Sequence, residues 1–242
     1  MAHKSETRAV VRQQTQCGFD NDMSQVVFVV GMPATDKEFE IISTESKMYN
    51  DIFVLTCDEN MNYGKSYTYF KEALEKLPCF DFYAKVDDDT AFDPVKISNK
   101  IAGIPNNTSL LIGRIAENKD TDFLGYTLKS IQFFFRDMSW IYHVKRYTAG
   151  MFYILNSQAV STWIELNPVD FYGDEDMRTS YYMIQIGARM VDFGDAFHDY
   201  IKYKTSSNQG HWRRDITNES LAVHQCKLKQ DLTDAFASIC AI

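Results

Sequence analysis

Apolar and polar positions along this chain follow two alternating patterns. Val26-Val27-Phe28-Val29-Val30-Gly31 is an unbroken apolar run closed by glycine, as in a strand buried on both faces. Helical spacing from Lys37 to Asn50 comes next, then the short run Ile52-Phe53-Val54-Leu55, then a helical stretch from Gly64 to Lys76 that Pro78 stops. Phe82-Tyr83-Ala84-Lys85-Val86 predicts another strand, which runs straight into Asp87-Asp88-Asp89. Asp93-Pro94 opens a helix to about Ile104, Leu110 to Ile115 predicts a further strand, and a short helix over Glu6 to Gln14 precedes the whole series. Strands alternating with helices imply right-handed crossovers and a mainly parallel, Rossmann-like central sheet covered by helices on both faces. The predicted fold class is therefore α/β, and ligands of such sheets sit at the carboxyl ends of the strands.

The second half of the chain changes character. Tyr126 to Arg136 and Tyr147 to Leu155 read as aromatic-rich extended stretches, separated by Trp140 and the basic residues His143, Lys145 and Arg146. A mixed sheet forming an acceptor-facing wall is expected there, with helices over Ser157 to Leu166 and Glu175 to Ile186 and a strand near Met190 to Phe193. From Gly194 onward the pattern is irregular and is expected to be largely loop, with a final helix near Asp231.

At 242 residues and 45% hydrophobic content, one sizeable core is expected, hence a single domain over 1–242 with a first half to residue 125 and a second half from 126. The net charge of -8 excludes a protein whose affinity comes from neutralising nucleic-acid phosphates. An acidic protein that binds a small anion needs a local cation, and a metal held by its own carboxylates is the simplest one. No run approaches the roughly 18 apolar residues of a membrane span, so membrane contact is expected only through an anchor segment absent from this chain. Cys17, Cys57, Cys79, Cys226 and Cys240 are odd in number and lack zinc-site spacing. Asn106, Asn107 and Asn218 each begin a glycosylation tripeptide, usable only in a secretory compartment.

Asp87-Asp88-Asp89 carries the strongest chemical signal, because adjacent like charges repel unless a cation or strong hydrogen bonds compensate them. Hard divalent ions favour such oxygen ligands and bridge phosphates; the plainer reading is a solvated acidic turn. An EF-hand is excluded, since Tyr63 and Phe92 stand where its glycine belongs, and Glu59 replaces the first glycine of a phosphate loop before Gly64-Lys65-Ser66. Gly173-Asp174-Glu175-Asp176-Met177 begins a predicted helix, where acidic residues also favour the macrodipole. As chemistry, Asp176 suits a general base and Glu175 a residue that orients an acceptor. His198, His211 and His224 are candidates to complete metal coordination, and sequence order does not choose among them.

The motifs, taken in order, resemble glycosyltransferase family 31, the β-1,3-galactosyltransferase and N-acetylglucosaminyltransferase group that includes fringe-like enzymes. Arg8-Ala9-Val10-Val11-Arg12-Gln13-Gln14-Thr15 is similar to its arginine-rich opening, with Gln16 in place of a tryptophan. Asn62-Tyr63-Gly64-Lys65 resembles its asparagine-to-lysine turn, Tyr83 through Phe92 its metal motif, and Gly113-Arg114 its glycine-arginine pair. Tyr147 through Ser157 resembles the glycine-centred segment, Glu175-Asp176-Met177 the Glu-Asp-Val motif, and His224-Gln225-Cys226 the carboxyl-terminal histidine. The resemblance implies a GT-A fold, a UDP-sugar donor, a glycan acceptor, inversion at the anomeric carbon, Mn2+ or Mg2+, and the Golgi lumen. It implies metal ligands at Asp87, Asp89 and His224, donor contacts from Arg12, Lys65, Asp87, Asp88 and Arg114, and Asp176 as base beside Glu175. A non-catalytic carbohydrate- or UDP-binding relative and a metal-dependent phosphohydrolase are the competing readings; Ala91 stands where the second needs threonine.

Overall fold

A computed structural model of the chain describes residues 4–14, 24–117, 144–169, 171–200 and 212–240. The sequence readings that concern Tyr126 to Arg136, Trp140, His143, Cys17 and His211 lie outside these residues. The architecture is mixed α/β, as the alternating pattern predicts, and is built as two compact units between which the chain passes four times.

The first unit draws on the described residues within Met1–Glu59, Val86–Pro105 and Gly194–Ile242. It holds helices α1 (Ser5–Gln14) and α2 (Asp36–Tyr49) and strands β1 (Phe28–Val30) and β2 (Ile52–Val54), which pair in parallel. Thr35 starts α2 by accepting from the Glu38 N–H at 3.2 Å, and Asn50 ends it in the left-handed region at φ 52°. Gly31 follows β1, and a Cβ there would lie 2.6 Å from the backbone nitrogen of Glu59, so only glycine fits. Arg8 reaches Glu45 with two hydrogen bonds, of 2.8 and 2.5 Å, both residues being buried, and this ties α1 to α2.

The segment expected to be loop instead carries a second sheet, and this corrects the sequence reading. Strands β8 (Phe197–Tyr200), β9 (Arg213–Arg214) and β10 (Ala222–His224) join β4 (Ala91–Phe92) in the order β4-β10-β8-β9. These strands run two to four residues, too short for a period-two pattern to show. Helix α4 (Pro94–Ala102) begins on Asp93, whose carboxylate caps the Lys96 N–H at 2.9 Å. The carboxyl-terminal helix, Lys229–Cys240, packs against α1 and β4.

The second unit comprises Asn60–Lys85 and the described residues within Asn106–Phe193. Its sheet has the order β3-β6-β5-β7, with β3 (Phe82–Val86), β5 (Leu110–Glu117), β6 (Arg146–Asn156) and β7 (Arg189–Asp192). β5 runs antiparallel to β6 and parallel to β7, so β3 and β5, expected in a mainly parallel sheet, instead share one mixed sheet with β6 and β7 of the second half. Leu110, Leu111, Ile112, Tyr153, Ile154 and Leu155 are fully buried at its centre. Helix α3 (Lys65–Lys76) and helix α5 (Ser157–Leu166) pack on each other through Phe70 and Trp163, while α6 (Glu175–Gln185) packs on β6. The remaining helix, Lys229–Cys240, is α7 in chain order. No described helix is long and apolar enough to cross a membrane.

Candidate metal centre and catalytic carboxylate

In the first unit, strand register assembles the metal-type cluster. Asp87-Asp88-Asp89 forms a turn closed by the Thr90 N–H donating to the Asp87 carbonyl at 3.1 Å, just before β4. β10 pairs antiparallel with β4, setting Val223 opposite Ala91, and parallel with β8, setting His224 opposite Asp199. Gln225 then turns at φ 65°, which lets the Cys226 N–H donate to the Asp89 carbonyl at 2.9 Å. Residues far apart in sequence are thereby held around one point.

His224 Nε2 lies 3.2 Å from Asp89 Oδ1 and 3.7 Å from Asp87 Oδ2, and one ligand atom of each residue falls within 4.8 Å of the others. His224 Nδ1 lies 2.8 Å from Asp199 Oδ1. An ionised carboxylate only accepts, so Nδ1 donates its proton to Asp199 and Nε2 is the atom turned toward Asp87 and Asp89. A carboxylate behind the imidazole is the usual partner of a metal-ligating histidine, fixing tautomer and ring orientation and raising basicity. Two carboxylate oxygens and one imidazole nitrogen suit Mn2+, and Mg2+ less fully. The residues therefore fit such an ion.

The charges of the cluster are strongly coupled. Burial lowers the His224 pKa, but the hydrogen bonds and charges of Asp199 and Asp89 outweigh it and lift it to about 9. Burial raises that of Asp89, but His224 and Lys227 hold it well below the ordinary carboxylate range. Asp88 is more exposed and pairs with Lys4 at 2.9 Å. His198, another candidate ligand, is buried and turned elsewhere, with Nε2 2.8 Å from the Ser220 hydroxyl.

Arg12 makes contacts that the sequence does not disclose. Its guanidinium donates to Asp51 at 2.6 and 2.8 Å and to Glu45 at 2.8 Å, and lies 3.9 Å from the centre of the Tyr49 ring. These contacts hold α1 to α2 and to the start of β2, so the residue expected at the donor is engaged as a strut of its own unit. Of the other residues expected to touch donor, Lys65 is the buried first residue of α3, and Arg114 is buried at a bulge in β5.

In the second unit, the first turn of α6 presents Asp176. Its Oδ1 accepts from the Met177 N–H at 2.8 Å and its Oδ2 from the Gly150 N–H at 3.0 Å. A Cβ on residue 150 would stand 3.2 Å from Asp176 Oδ2, close enough that the carboxylate would have to shift by a few tenths of an ångström. Lys85 Nζ donates to the Gly150 carbonyl at 2.5 Å and lies 3.6 Å from Glu175 Oε2, while the buried Tyr153 hydroxyl donates to Glu175. Burial, then the charge of Glu175, pushes the Asp176 carboxyl up to about 6 against the Met177 N–H and Lys85. That value leaves it mainly ionised near neutral pH yet more basic than an ordinary aspartate, as a general base requires. Glu175 itself is buried among its partners and acts on Asp176 through charge.

Sequence reasoning missed Asp199, Lys85, Tyr153 and Lys227. Asp199 carries no signal, because its role arises from the pairing of β8 with β10. Lys85 stands within the segment Tyr83 to Phe92 and Lys227 directly after His224-Gln225-Cys226, and a cation beside an acidic cluster is the available clue.

The galactosyltransferase family model matches residues 9–193. Over 69 residues the chain is 35% identical to the β-1,3-galactosyltransferase pvg3 of Schizosaccharomyces pombe, a match covering 28% of this chain and 18% of that protein. Asp87, Asp89 and Asp176 lie inside the family match, whereas Asp199, His224 and Lys227 lie beyond its end.

Proposed function

Since the chain belongs to the galactosyltransferase family, we propose that it moves a hexose, galactose or an N-acetylhexosamine, from a UDP-sugar to a hydroxyl of a glycan acceptor, with inversion and a β-1,3 linkage. The carrying observation is the Asp87, Asp89 and His224 cluster with Asp199 behind the imidazole. The linkage follows that of the β-1,3-galactosyltransferase of Schizosaccharomyces pombe, and the Golgi lumen is the proposed setting by family membership.

Asp87, Asp89 and His224 would hold Mn2+ or Mg2+, which when bound supplies positive charge to a departing diphosphate. Asp199 keeps His224 Nε2 turned to the cluster. Asp88, Lys65 and Arg114 are assigned to the donor, and Arg12 acts at one remove by ordering α1. Asp176 takes the proton of the acceptor hydroxyl, whose oxygen bonds to the anomeric carbon. The bond from that carbon to the diphosphate oxygen breaks, and its electron pair leaves on UDP. A positioned base contributes about 10²–10⁴-fold to such a step.

The test is incubation with a panel of UDP-sugars, with manganese or with EDTA, with and without hydroxyl acceptors. UDP release that needs one donor, an acceptor and the metal is expected, with product linkage read by NMR. UDP binding without turnover would instead assign a binding role, and phosphate release from monoesters would assign a phosphohydrolase.

A further inference from the structure

We propose that Lys227 is a diphosphate-binding residue, parked on Asp89 until donor and ion arrive and then transferred to phosphate oxygens; this rests on the transferase reading above. Lys227 Nζ pairs with Asp89 Oδ2, the oxygen opposite the one that faces His224. The lysine side chain is 55% exposed and the aspartate 17%, so the ammonium approaches from the solvent side. The turn at Gln225 and the clamp of Cys226 on the Asp89 carbonyl fix the backbone from which it reaches.

A cavity of about 180 Å³ opens at this point, with Lys4, Lys227 and Lys229 on its lining beside Asp88 and Asp89. Around it Asp88 pairs with Lys4, Asp89 with His224 and Lys227, and Lys229 with Glu6, while His224 also meets Asp87 and Asp199 behind the lining. A divalent cation at Asp89 competes with the ammonium for the same carboxylate, and two cations side by side repel. The flexible four-carbon stem of lysine lets the charge swing away while the backbone stays in place. A diphosphate drawn to the ion brings several acceptor oxygens to the same cavity, and lysine binds phosphate as a point charge. Lys227 therefore changes partner, leaving Asp89 for the donor, and remains to steady the charge that grows on UDP as the sugar leaves.

Two effects of opposite sign make this testable by calorimetry on the whole chain. In Lys227→Met, Mn2+ alone binds more tightly than in wild type because its competitor is gone. UDP in the presence of Mn2+ binds about tenfold more weakly or worse, since a hydrogen bond to a charged group is lost, and Lys227→Arg restores most of that affinity. Unchanged UDP affinity in Lys227→Met, with wild type still taking both Mn2+ and UDP, overturns the role of Lys227 and leaves the metal reading standing. If wild type takes up no Mn2+ yet binds UDP in a Lys227-dependent way, the phosphate role stands and the metal reading fails. Absence of UDP binding by wild type overturns both.

Discussion

Asp199 is the residue whose replacement probes the metal centre most selectively, because it touches the ligand and not the ion. In Asp199→Asn an acceptor oxygen remains near His224 Nδ1, 2.8 Å away in the wild type, but its charge is gone. Wild-type His224 sits at about 9, so near neutrality an incoming ion must displace its proton. At about pH 7 that competition spans roughly two pKa units, or ~2.7 kcal/mol, about a hundredfold in affinity. Without the Asp199 charge the imidazole falls back from about 9 while Asp89 still holds it up, so part of this competition disappears. Against that gain, loss of an orienting outer partner costs about 10–100-fold in metal affinity. The two effects oppose each other near pH 7, whereas near pH 9 the loss dominates, so the variant's deficit grows with pH. Titration with Mn2+ under argon, at both ends of this range and in buffers of different ionisation enthalpy, reads affinity and proton release together. Wild type should release nearly one proton per ion near neutrality, and the variant measurably less. Equal proton release in both proteins, or a loss of affinity independent of pH, would refute the assignment of Asp199 as the partner that sets His224.

The remaining expectations concern other parts of the chain. Asp176 carries a raised value, about 6 against an ordinary 3.8, so its bound proton favours folding below about pH 4 and that contribution is lost as pH rises through 6. Above that range the buried charge costs roughly 3 kcal/mol at 1.36 kcal/mol per pKa unit. Asp176→Asn should therefore melt higher than wild type near pH 8 but not near pH 4, while transfer falls about 10²–10⁴-fold; the acid limb of the wild-type kcat/KM profile should fall near pH 6. Gly150→Ala pushes a Cβ against Asp176 Oδ2 and should lower kcat by about a hundredfold with little change in UDP affinity, as for a small misplacement of a reacting group. Glu45→Gln leaves the buried Arg8 and the half-buried Arg12 short of a carboxylate and should cost about 3–5 kcal/mol in urea unfolding.

Much of this molecule was legible in its sequence where local physics decides the outcome. Helix α2 lies within a residue of its pattern because Thr35 and Asn50 are strong local signals. Asp93-Pro94 marks the start of α4 for the same reason, and the apolar run Phe82 to Val86 delivers the aspartates at the end of β3. The sheet of β4, β8, β9 and β10 is hidden, since strands so short show no period and the pairing of β4 with β10 spans more than a hundred residues. That sheet is also what brings His224 to the aspartates, so the residues alone do not choose among the histidines and the register of β10 does. Arg12 illustrates the opposite limit: a cation in a motif looks free in sequence, and only packing reveals Asp51, Glu45 and Tyr49 around it.

In the proposed reaction Asp87, Asp89 and His224 hold one divalent ion beside the diphosphate of a nucleotide-sugar. Electron paramagnetic resonance of Mn2+ titrated into the chain with UDP present reads this directly. One ion per chain is expected in the wild type, with loss of that uptake in Asp89→Asn and His224→Ala while both variants keep their fold by circular dichroism. Mn2+ uptake in the presence of UDP that is the same in all three proteins would contradict the account.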